Sequence, residues 1–308
     1  MFGYRSGANR SREFREADRT RVRSVFGRIV SAFAGTAAVS ARAVRRAFAP
    51  AVLTFLLLLL VVSLVIDGGA HAACTGVIAG RNPLFRPAST GTEGAVNVTF
   101  LGHASFLIES PAGVTIVTDY NDLIRAPVTP DIVTMNNAHT SHYTDFVEPG
   151  VKLVLRGWDP AGGVARHQVE YRDVRIHNVP TNVRDLGGTR YNGNSIFVFE
   201  IADLCLAHLG HLHHTLTEAH LTDLGPIDVV FVPVDGAWTL NQDDMITVLQ
   251  QIKPKLVIPM HIFGASTLER FLTRLGDLYP IKRAPSAAVT LSRAELPQTP
   301  ELLVLPGR

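Results

Sequence analysis

Three strand-like apolar runs in this 308-residue chain lead directly into histidine. His139 and His142 come after DIVTM, His208 and His211 after DLCL, and His261 after KLVIPM. Short apolar runs bounded by turn residues read as buried strands. Strand-to-loop junctions are where a rigid scaffold presents reactive groups, and neutral imidazole is the commonest metal ligand. A lone loop histidine is ordinarily solvated or bonded to a carbonyl. Three such clusters brought to one sheet edge would form a metal site.

The surrounding pattern supports a layered fold. VNVTFLG, ASFLIES and VTIVTDY read as a hairpin-linked start to a sheet, continued by DIVTM, KLVLRG and VEYRDVRIHNVP. GNSIFVFEI and DLCLAHL pair across a tight turn at Ala202-Asp203. TEAHLTDLG is a short helix with Thr217 as N-cap and Gly225 as its stop. Beyond it, IDVVFVPV and KLVIPMH read as strands, and DDMITVLQQIK and STLERFLTRLGDLY as helices. An antiparallel first half followed by βαβ-like units indicates an α/β or α+β layered domain rather than a barrel.

Charge separates this body from what precedes it. Residues 1–50 carry eleven Arg against Glu13, Glu16 and Asp18, a net +8; the remaining 18 basic and 24 acidic residues leave the body at −6. The uncharged run AVLTFLLLLLVVSLVI (51–66) spans about 24 Å as a helix, short for a hydrocarbon core of about 30 Å. Ala70-His71-Ala72 then fits the small-x-small pattern of a signal-peptidase site.

The expected organisation is an Arg-rich cytosolic leader (1–50), a signal peptide or N-terminal anchor (51–72) and one domain (73–308). The protein is thus expected to be exported, or held to the membrane through residues 51–66 alone. Arg45-Arg46 imitates a twin-arginine signal, but an Arg-rich leader without the flanking consensus produces such a pair by chance. The acidic body and the absence of a binding motif speak against a nucleic-acid partner. Of the two cysteines, Cys205 lies in an apolar strand and reads as a buried free thiol, with a single bond to Cys74 as the alternative.

In order and interval, VTFLGHASFLIES, VTIVTDY, DIVTMNNAHTSHYTD, NGNSIFVFEI, LAHLGHLHHTLT, VFVPVDGAWTL and KPKLVIPMHIFG resemble the metallo-β-lactamase superfamily, in its lactonase-like and phosphodiesterase-like branch. The resemblance implies a four-layer αββα sandwich of two mixed β-sheets with metal at one edge. It also implies departures from the family's HxHxDH motif. Asn137 stands for the first His and Ser141 for the Asp, Gly210-His211 replaces the Gly-Asp that bridges two metals, and Thr181-Asn182 occupies the stretch where a further His belongs.

Those substitutions point to one zinc or similar divalent transition ion rather than two, held by His139, His142, His211 and His261. Asp235 is the candidate general base or partner of a ligand His, with His211 its companion in catalysis. His103, Asp119, His208 and His214 are expected around the ligands. The expected activity is metal-assisted hydrolysis of an ester, lactone or phosphodiester in a small molecule. The competing expectation is a non-catalytic descendant serving as an envelope binding protein or scaffold.

Overall fold

The computed structural model describes Cys74, residues 94–136 and residues 139–307. The leader, the apolar segment 51–72 and Asn137 lie outside the described residues. Among those described, no helix is long and apolar enough to cross a membrane.

In chain order the strands begin with β1 (Val96–Gly102), β2 (Ser105–Glu109), β3 (Thr115–Val117), β4 (Ile132–Met135) and β5 (Leu153–Arg156). They continue with β6 (Gln168–Tyr171), β7 (Val174–Asp185), β8 (Gly188–Ile201) and β9 (Leu204–His208). Helix α1 (Glu218–Leu224), β10 (Val229–Pro233), helix α2 (Gln242–Ile252), β11 (Leu256–Met260) and helix α3 (Ala265–Leu275) follow. Three short strands close the chain: β12 (Ile281–Arg283), β13 (Ala288–Leu291) and β14 (Glu301–Val304). One sheet has the order β13-β1-β2-β3-β4-β5 and the other β12-β14-β11-β10-β9-β8-β7-β6. Both mix parallel and antiparallel pairs, giving the expected two-sheet sandwich.

Three apolar layers hold it together. Phe106, Ile108, Ile116, Phe197, Phe199, Phe231 and Ile258 fill the space between the sheets. On the outer face of the second sheet, Val230, Val232 and Val257 meet Met245, Val248 and Leu249 of α2 and Phe271 and Leu272 of α3. The outer face of the first sheet (Leu107, Val117, Val133) is covered by Tyr120, Ile124, Tyr143 and Trp158. Among the described residues this outermost layer is irregular chain, while the opposite one is helical.

Local chemistry explains the punctuation. Thr217 caps α1 through its hydroxyl to the His220 amide, and Gly225 at φ +69 ends it. The two-residue turn Ala202-Asp203 takes positive φ at both positions, the geometry that matches strand twist. Pro259, inside the central strand β11, lacks an N–H. It is tolerated because β14 pairs β11 only at Leu256 and Val257.

One expectation needs correction. Cys205 is not a free thiol: it forms a disulfide with Cys74, with Cα atoms 5.5 Å apart. A separation of 131 residues gives no sign of that proximity in sequence. His167 Nε2 bonds the Arg156 carbonyl oxygen at 2.7 Å, and His177 Nε2 is buried.

Candidate metal centre

The two sheets meet at the edge where β4, β9 and β11 end, and each delivers imidazole there. Beyond β4, the His142 amide donates to the His139 carbonyl at 2.9 Å, a tight turn that sets both rings side by side with centroids 4.5 Å apart. Beyond β9, Gly210 takes φ +59, and a Cβ there would collide with Asn136 Nδ2 and come within 2.5 Å of Asn194 Oδ1. Only glycine makes this turn cheaply. The next amide, that of His211, then donates to Asn194 Oδ1 at 2.8 Å. His261, the first residue after β11, sits at φ +55 and donates its amide to the His103 carbonyl at 2.6 Å.

One nitrogen from each of His139, His142, His211 and His261 lies within 4.8 Å of the others. Their Nδ1 atoms are all engaged away from this common space. His142 Nδ1 lies 2.8 Å from Asp119 Oδ2, and His261 Nδ1 lies 3.0 Å from Asp235 Oδ1. His139 Nδ1 contacts Ser141 Oγ at 2.8 Å, and His211 Nδ1 contacts His213 Nε2 at 2.6 Å. The Nε2 atoms are left to converge. Those of His139 and His211 are 3.1 Å apart, and those of His142 and His261 are buried without a hydrogen-bond partner.

The electrostatics favour the neutral form of His103, His139, His211 and His261. Burial, reinforced by the neighbouring imidazoles, pulls His139 down to about 4 and His103 to about 3, and lowers His211 and His261 as well. Burial works against the Asp119 carboxylate, but the charge and hydrogen bond of His142 outweigh it and hold the group below its ordinary range. Asp235 shows the same balance, with His261 and Thr239 as its main stabilisers.

This surround corrects several roles expected from sequence. Asp235 Oδ2 accepts the amides of Ala237, Trp238 and Thr239 at 2.8, 2.5 and 3.2 Å, and Oδ1 accepts the Thr239 hydroxyl at 2.5 Å. A carboxylate so saturated orients His261 and has no lone pair directed at a substrate. His208 faces away from the cluster: Nε2 donates to the Ala104 carbonyl at 2.8 Å and Nδ1 accepts the Gly210 amide at 3.2 Å. His214 Nε2 accepts the Asn182 amide at 3.1 Å, and Asn182 Oδ1 accepts that of Asn192, so both stand outside the cluster.

Of the three neighbouring histidines, 208, 213 and 214, it is His213 that contacts a ligand ring, that of His211. His103 contributes from the side, its Nε2 3.0 Å from Ser141 Oγ and its ring 4.3 Å from that of His261. Asn136, whose amide group links Asp119 Oδ1 (2.8 Å) to the Ser195 amide (2.9 Å), was not singled out from sequence.

The fold has counterparts in known proteins. Residues 97–261, more than half of the chain, match the family described as the beta-lactamase superfamily domain. The chain belongs to the metallo-β-lactamase superfamily. A Thermotoga maritima protein assigned as a Zn-dependent hydrolase of that superfamily is 30% identical, with a TM-score of 0.51, over 69% of this chain and 100% of its own. A UPF0173 metal-dependent hydrolase of Thermococcus kodakarensis is 26% identical over 54% of this chain and 84% of its own length. A metallo hydrolase from Ignicoccus hospitalis, at 17% identity and a TM-score of 0.50, shares the fold.

Ser141 joins His139 to His103 by hydrogen bonds.

Proposed function

We propose that the chain is a metal-dependent hydrolase with a single divalent cation, zinc or a similar transition ion, held by His139, His142, His211 and His261. The observation that carries this reading is the convergence of four Nε2 atoms, two of them buried and unpartnered. Leaving a buried polar atom unsatisfied costs ~1–3 kcal/mol, and a shared cation satisfies both at once. Neutral imidazole is a good donor for such an ion. Charge favours one cation over two. Asp119 and Asp235, the carboxylates that brace the cluster, together balance one divalent charge.

A cation held there supplies Lewis-acid polarisation of a water molecule and of the bond it attacks. The chain's own groups supply orientation. Asp119 and Asp235 fix His142 and His261 with Nδ1 protonated and Nε2 directed inward. His213 and the Ser141–His103 pair do the same for His211 and His139 without adding negative charge. His139 is exposed while the other three are buried, so a substrate approaches from the His139 side.

We read the substrate as a small molecule with an ester, lactone or phosphodiester bond, and the protein as exported. The Cys74–Cys205 disulfide supports export: it begins two residues past the expected cleavage after Ala72, and disulfides persist in oxidising compartments.

The substitution of Ser141 and His211 for motif carboxylates favours a second reading, a scaffold that keeps the cation without the reaction. Elemental analysis of the purified full chain, paired with an ester and phosphodiester panel, separates them. The hydrolase reading expects one metal per chain and activity lost together with metal in His142→Ala and His261→Ala. Metal with no turnover would leave the scaffold. Activity untouched by both substitutions would place the chemistry elsewhere.

A further inference from the structure

Phe263 stands two residues beyond the ligand His261 and keeps 52% of its surface exposed. Its ring lies edge-on to His261 at 4.9 Å and to His103 at 5.6 Å. The preceding side chain, Ile262, packs against the helical core, and the following residue is Gly264, which opens α3. Phe263 is therefore held at the mouth of the cluster.

Trp238, 66% exposed, belongs to the loop whose amides grip Asp235. Leu186 and Tyr191, both exposed, lie on the β7–β8 hairpin, whose Arg184 reaches the Thr239 carbonyl of that same loop at 3.5 Å. Phe263 thus lies against the cluster, and Trp238 stands exposed in the loop that holds the partner of His261. An exposed aromatic ring set against a centre of polar groups is the usual make-up of a ligand site.

We infer that the substrate carries an apolar acyl or aryl group next to the bond cleaved, and that Phe263 and Trp238 select it. This rests on the hydrolase reading and adds the substrate's chemistry to it. An aromatic ring offers a large rigid contact at little entropic cost, so the selection falls on binding rather than on the chemical step. An acyl group presented by a bilayer shares that chemistry with one on a free small molecule, and the small molecule is the occupant proposed.

The test uses the zinc-loaded full chain and p-nitrophenyl esters from acetate to decanoate, kept monomeric. The wild type is expected to prefer decanoate in kcat/KM by about tenfold, chiefly through KM. Phe263→Ala loses that preference, Phe263→Leu keeps most of it, and Trp238→Ala weakens it. Unchanged melting temperatures show that the exposed substitutions leave the fold intact.

Binding of decanoate and acetate is followed in parallel through the visible spectrum of the cobalt-loaded chain, so the two readings fail separately. Hydrolysis of every ester without chain-length preference overturns the apolar site and leaves the hydrolase. Tighter decanoate binding that depends on Phe263, without hydrolysis of any ester or of bis(p-nitrophenyl) phosphate, supports the apolar site and overturns the hydrolase reading. Turnover seen only with phosphatidylcholine vesicles containing the ester overturns the small-molecule form.

Discussion

His211 Nδ1 lies 2.6 Å from His213 Nε2, two residues away along the same loop. For His211 to face the cluster through Nε2, its Nδ1 must carry the proton and His213 must accept it. Replacing His213 with Phe removes that acceptor while preserving a ring. Zinc affinity, measured by chelator competition, is expected to fall by about 10–100-fold, with His213→Gln retaining more than His213→Phe. Equal affinity in all three proteins would mean that Gly210 and Asn194 alone orient His211.

Asp235 spends five hydrogen bonds on His261 and the 237–239 turn. Asp235→Asn turns one of its acceptors into a donor facing groups that need an acceptor. Metal affinity and melting temperature are both expected to drop, and activity should recover with excess zinc. A variant that kept its metal at wild-type affinity and lost only kcat would restore Asp235 to the role of general base.

Gly210→Ala meets both a left-handed backbone and the side chains of Asn136 and Asn194. A loss of ~3 kcal/mol in unfolding free energy is expected from denaturant titration. Zinc retention should suffer as well, because this turn aims His211. Gly188→Ala is the control. It also sits at positive φ (+118°), but its Cβ would meet nothing within 4 Å, so zinc retention is expected to be unaffected.

Acid should loosen the metal-free protein before it reaches the carboxylate range. Folded His103, His139 and His213 protonate at about 3, 4 and 4, whereas the same imidazoles in the unfolded chain protonate near the ordinary 6.5. Between those values the unfolded state binds more protons, so stability is complete above about 6.5 and declines as pH falls. The melting temperature of the metal-free chain is expected to drop by ~5 °C or more from pH 7 to pH 5. A flat profile over that interval would mean the imidazoles are solvated.

Much of this architecture is legible in the chain, for reasons that can be named. The apolar runs at β1, β4, β9, β10 and β11 are short and sharply bounded, and His139, His142, His211 and His261 come straight after them. Thr217 and Gly225 mark α1 because capping is local chemistry. What escaped depends on distance or on backbone turns. The partner of Cys205 lies 131 residues away. The choice among His208, His213 and His214 is made by the Gly210 turn, and no spacing rule encodes it. β12, β13 and β14 are three or four residues long and carry little periodicity.

Zinc-edge X-ray absorption on the purified full chain tests the shared cation most directly. One zinc per chain in a shell dominated by imidazole nitrogens at about 2.0–2.1 Å, with no second metal nearby, is the predicted result. Substitution at any of positions 139, 142, 211 or 261 should thin that shell. A metal–metal distance in the spectrum, or a shell indifferent to all four substitutions, would contradict the account.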